Sequence, residues 1–90
     1  MVREELRAAS DHLRAAAVAA SDSDHEERLY DHSDALAELA TADHGPDHGR
    51  LARITAKLDD IAGETTEDAA ESIRDAQDSI RAYRETVDGV

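Results

Sequence analysis

The chain has no cysteine, no phenylalanine and no tryptophan, and Pro46 and Lys57 are its single proline and single lysine in 90 residues. The missing cysteine excludes disulfides, thiol catalysis and thiolate zinc sites. With Tyr30 and Tyr83 the only aromatics, the interior has to be built from seven Leu, four Ile, four Val and alanine, which supplies 18 of the 36 apolar residues. Ninety residues make one small domain. Ordering costs roughly 1.5 kcal/mol per residue, so a core this thin leaves little surplus. Help from self-association or from the solvent is expected.

Long apolar runs are missing too. "RAAAVAA" (14–20) is too short to span a bilayer and opens with Arg14, and no basic patch leads into an apolar run near Met1. The expectation is a soluble cytoplasmic protein with no membrane contact.

Positive charge is scarce: 10 bases face 22 acids, for a net charge of −12. Such a chain repels phosphate backbones, so nucleic acid is not an expected partner. Asp outnumbers Glu 13 to 9, and nine Arg stand beside the one Lys. Thermophiles enrich Lys and Glu, so the bias here is of another kind. It resembles the proteome-wide signature of extreme halophiles, whose carboxylate surfaces work in molar salt. There the Debye length is about 3 Å and the mutual repulsion is largely screened.

What is present is a repeated spacing. Val2, Leu6, Ala9, Leu13, Ala16 and Ala20 alternate by four and three. The same alternation places His25, Leu29, His32, Leu36 and Leu39 on one seam, and Leu51, Ile54, Leu58 and Ile61 on another. Ala69, Ile73, Ala76, Ile80, Tyr83 and Val87 make a fourth. This is coiled-coil-like heptad packing, and nothing alternates with period two. The fold class is all-α, an antiparallel up-down four-helix bundle, with helices near 2–20, 24–42, 47–62 and 66–87.

The breaks have local causes. From Leu13 to Leu29 an unbroken helix would turn its stripe by roughly 160°, so the first two seams need a break between them. Ser23-x-x-Glu26 fits a capping box for the second helix. In "HGPD" (44–47), Gly45 suits a left-handed C-cap, Pro46 cannot continue the helix, and Asp47 can cap the next. Gly63 ends the third helix, and Thr65 or Thr66 caps the fourth.

Four groups of residues invite a chemical reading. His44, Asp47 and His48 are competent metal ligands gathered at a turn. The Gly-Pro between the histidines spoils their helical i,i+4 geometry, and a capped turn with solvated imidazoles accounts for the motif. His25 and His32 fall on core-facing positions about 10.5 Å apart along a helix, too far to share one zinc. They read as two polar layers, each histidine bonded to a carboxylate or carbonyl across the bundle, and as a pH-sensitive core. Adjacent Asp-His pairs such as Asp11-His12 and Asp31-His32 point about 100° apart and are not dyads.

The third group lies in "HGRLARITAKL" (48–58), an acid-free stretch in which Arg50, Arg53 and Lys57 share a face; Arg74, Arg81 and Arg84 form a second strip. Either strip could hold an acidic partner or an anion. Both flank apolar seams, however, where pairs with Asp and Glu of neighbouring helices are expected instead. The fourth group is Ala8, Ala15, Val18 and Ala19, which lie off the main seam and make the first helix apolar nearly all round. This is the candidate face for a homo-oligomer, against the simpler view that alanine is a good helix former on a surface.

"GPDHGRLAR" (45–53) and "RAYRETVDGV" (81–90) resemble a family of small, acidic, all-helical proteins of unknown function from halophilic archaea, and the likeness spans most of the chain. The resemblance implies a source and a helical fold; it assigns no activity and hence no catalytic residues. No Ser-His-Asp arrangement or phosphate-cradling glycine loop can be assembled, and no cofactor is implied. The sequence thus points to a non-enzymatic interaction or structural module with an unidentified protein partner. A metal- or pH-responsive binding module is the alternative.

Overall fold

A computed structural model of the chain describes residues 2–45 and 47–88, with the side chains of residues 87 and 88 left aside. Four helices follow one another: α1 (Glu4–Ala19), α2 (Ser23–Thr41), α3 (His48–Ala62) and α4 (Glu67–Asp88). No strand occurs among the described residues. Each helix end falls within two residues of the position that seam spacing and capping residues require.

The helix starts show why. Asp22, not Ser23, caps α2: its carboxylate accepts from the amides of Asp24 (2.8 Å) and His25 (3.2 Å). The expected capping box is thus displaced by one residue, because an Asp was available one position earlier. Those two amides hold the Asp22 carboxyl below its ordinary value. Asp47 caps α3 by accepting from the Gly49 amide at 3.1 Å. Thr66 opens α4, accepting from the Ala69 amide while its hydroxyl donates to the Ala19 carbonyl at the end of α1. The neighbouring Thr65 hydroxyl is buried without a partner.

The helix ends differ from expectation. α2 stops at Thr41 through Ala42 in an extended conformation, and none of the described glycines has a positive φ. Gly45 is therefore no left-handed cap. Gly63 does close α3, in right-handed helical geometry, donating to the carbonyl of Asp59.

Cross-links between helices give the topology. Arg3 donates from its guanidinium to the carbonyls of Leu39 (3.0 Å) and Ala42 (2.8 Å), and from its amide to Ala40 (2.8 Å). The start of α1 thus meets the end of α2, and its positive charge meets the negative helix terminus. The end of α1 meets the start of α4 through Thr66. Gln77 on α4 donates to the Thr55 carbonyl of α3, and Arg84 near the end of α4 reaches His48 at the start of α3. Every consecutive pair is antiparallel, in a body measuring 39 × 20 × 17 Å.

The layers are not equivalent. α1 packs extensively on both α2 and α4, α3 packs on α4, and α2 scarcely meets α3. Leu6, Leu13, Leu29, Leu36, Leu51, Leu58, Ile61 and Ile73 are wholly buried. Between them lie Ala9, Ala16, Ala17, Ala69, Ala70 and Ala76, also buried, whose small side chains let α1 and α4 approach closely. The bundle is closed on three flanks and slack on the fourth.

Candidate functional site

The slack flank changes the fate of the α2 seam. Leu29, Leu36 and Ala40 are buried. His25 and His32 lie at the edge of that stripe, where a close α3 would cover them, and both are only half-buried. Neither histidine forms the polar core layer expected of it; His25 Nδ1 has no hydrogen-bond partner at all. The polar layer is made elsewhere. Ser10 on α1 donates to the Ser33 carbonyl, Ser33 on α2 donates to the Ser10 carbonyl, both at 2.8 Å, and their hydroxyl oxygens stand 3.0 Å apart. Ser33 is wholly buried. Sequence reasoning passed over these serines because they fall beside the large residues rather than on the seam. Their one signal is that each is a small residue next to a seam position, as expected where two backbones come close.

His32 instead lines the groove between α2 and α3. Its companions there are Ala35 from α2 and Arg50, Arg53, Ile54 and Lys57 from α3, around a cavity of about 240 Å³. Burial, then the charges of Lys57 and Arg28, hold the His32 imidazole below its ordinary value, against an opposing pull from Asp31. The ion pairs expected for the basic strip are not formed. Among the described residues no carboxylate lies within pairing distance of Arg50, Arg53 or Lys57. The pairs seen elsewhere join neighbours on one helix, Asp24 with Arg28 at 4.0 Å and Asp78 with Arg81 at 3.6 Å. The physical reason is the gap: α3 meets too little of α2 to bring its acids across.

A test follows for His32. Because its folded-state pKa is depressed, the unfolded chain takes up a proton first as pH falls through about 6.5. The His32 contribution is therefore complete above that value and is lost as pH falls from there toward the folded pKa. In high salt, where carboxylate repulsion is screened, the melting temperature should be lower at pH 5.5 than at pH 7.5. His32→Gln should flatten that slope. An equal slope in both proteins would remove His32 from the account.

The other sequence-derived sites are placed as follows. His44 is exposed, Asp47 spends its carboxylate on the helix cap, and Nδ1 of His48 accepts from Nε of Arg84 at 3.3 Å. Among the described residues no three His, Asp or Glu side chains are gathered as metal ligands, so the turn does not bring this trio together. The four residues proposed for self-association are divided. Ala19 packs against the core, and Ala8 lies beside Ser79 and Ala82 in the α1–α4 groove. Only Ala15 and Val18 face outward, with Val18 73% exposed. No described helix is long and apolar enough to cross a membrane.

Comparison with known proteins adds one finding. Residues 1–86 match the model of a Family of unknown function (DUF7553). No curated protein and no solved structure matches the chain.

Proposed function

The chain belongs to this family of unknown function, so its role has to be argued from its own geometry; we propose that it is a non-enzymatic interaction module whose working surface is the α2–α3 flank. One observation carries this reading. Arg50, Arg53 and Lys57 stand together without carboxylate partners in a chain of net charge −12, beside the one helix pair that barely packs. Like charges held together on a folded protein repel, and where they do not serve the fold they mark a surface that serves a partner.

Exposed cations that serve a partner can be removed without harm to the fold. Arg53→Ser combined with Lys57→Ser should melt within about 4 °C of the parent, since surface substitutions of this kind stay within roughly 0.5 kcal/mol. A fall of 8 °C or more would make these side chains structural and end the reading.

The outer face of α1 complements it as the contact for a second copy, through exposed Ala15 and Val18. The rest of the exterior, crowded with Asp and Glu, suits a cytoplasm rich in salt, as in halophilic archaea, and disfavours nucleic acid. Replacing Ala15 and Val18 together by Glu should lower the molecular mass measured by light scattering in molar salt. An unchanged mass would reject that contact. A pH-responsive module is the second reading, favoured by the half-buried His32 among cations.

A further inference from the structure

We propose that the groove between α2 and α3 binds a small polyvalent oxyanion of the phosphate-ester or pyrophosphate type, held by Arg50, Arg53 and Lys57 with His32 at its wall. The proposal rests on reading this flank as the working surface and names its occupant.

The donors suit that chemistry. Positions 50, 53 and 57 follow the three- and four-residue spacing that keeps side chains on one helical face, so all three cations project along one side of α3. Guanidinium groups present planar forks that match the oxygens of a phosphate two at a time, and the Lys57 ammonium adds a compact point charge. The end of the helix adds little, because the Asp47 carboxylate that caps α3 offsets the positive helix terminus, so the attraction rests on the three side-chain cations. Ala35 and Ile54 give the cavity an apolar part, which keeps water off one side of a bound anion and limits screening by salt.

Size and surroundings decide which anion. The cavity of about 240 Å³ takes a compact group. Asp31, Asp34 and Glu38 on α2 and Asp59 and Asp60 on α3 are all exposed. A polyanion long enough to run out of the groove, such as an acidic peptide or a nucleic-acid strand, would meet these carboxylates. An anion confined to the cavity meets mainly the cations.

His32 supplies a signature of occupancy. It is faced by Arg28 and Asp31 on its own helix and by Lys57, Arg50 and Arg53 from α3. Burial first, then the charges of Lys57 and Arg28, favour the neutral imidazole. A bound anion reverses the sign of the local field and draws a proton onto the ring, so binding and protonation are linked.

The test is a titration of the full chain with inorganic pyrophosphate at constant ionic strength set by KCl, followed by calorimetry and by NMR of the His32 ring. Saturable one-to-one binding is expected, with the midpoint of His32 titration rising on saturation. The double variant Arg53→Ser, Lys57→Ser should bind at least about tenfold more weakly, the loss of charge-assisted bonds to an anion. Absence of saturable binding, or equal binding by the double variant, would overturn the proposal. A decaglutamate peptide is the comparison ligand. If it saturates the same residues and pyrophosphate does not, the small-anion proposal falls while the flank remains an interaction surface. If instead the double variant has lost its fold stability, the reading of the flank itself falls.

Discussion

Replacing Leu13 by Ala should cost about 3 kcal/mol and lower the melting temperature by roughly 12–24 °C. Leu13 is wholly buried at mid-length of α1, the helix that packs against both α2 and α4. Removing its branched end opens a cavity where three helices depend on one another. A core of larger, flexible side chains relaxes around such a loss, but here the neighbours are thin. Many buried positions are alanines, which have no flexible atoms with which to fill space. Domains of this length are held by about 5–13 kcal/mol, so the substitution removes a large share of the total. Leu13→Met, which nearly conserves volume, should cost less than about 1.5 kcal/mol. Thermal melts of the two variants in the same salt decide it. Equal melting points would mean that α1 is not the packing centre.

Ser33→Leu should destabilise the fold by about 3 kcal/mol, more than most polar-to-apolar changes in a core. A leucine at this wholly buried position would ordinarily add apolar burial. It cannot do so here, because the Ser10 hydroxyl oxygen lies 3.0 Å from that of Ser33 and each serine donates to the other's carbonyl. The extra carbons have to push α1 and α2 apart along the most extensive contact that α2 makes. Ser33→Ala keeps the close approach and loses one net hydrogen bond, at about 1 kcal/mol. Chemical denaturation should order the three proteins as parent, alanine variant, leucine variant. A leucine variant at least as stable as the parent would show that the two helices have room to spare at this level.

The spacing of Leu29, Leu36 and Leu39 located the buried face of α2 correctly, yet the same spacing put His25 and His32 inside. Heptad position specifies the angle at which a side chain leaves its helix; it does not specify whether another helix is there to receive it. The cations of α3 went astray for the same reason. Arg50, Arg53 and Lys57 border a seam, and pairing with acids of the next helix was a sound expectation for a closed bundle. At His44, Asp47 and His48 the capped turn favoured by the sequence is present, with Asp47 accepting from the Gly49 amide.

Four rods, their limits and their buried stripes are therefore contained in the order of the residues, because caps, breaks and apolar periodicity act over a few positions of chain. Which rods touch is another matter. The close union of α1 with α2 and α4, the hydroxyl exchange between Ser10 and Ser33, and the open groove beside His32 all join positions far apart in the chain. They depend on how small and large side chains interdigitate across interfaces, a property of the assembled interior that no single stretch of sequence contains.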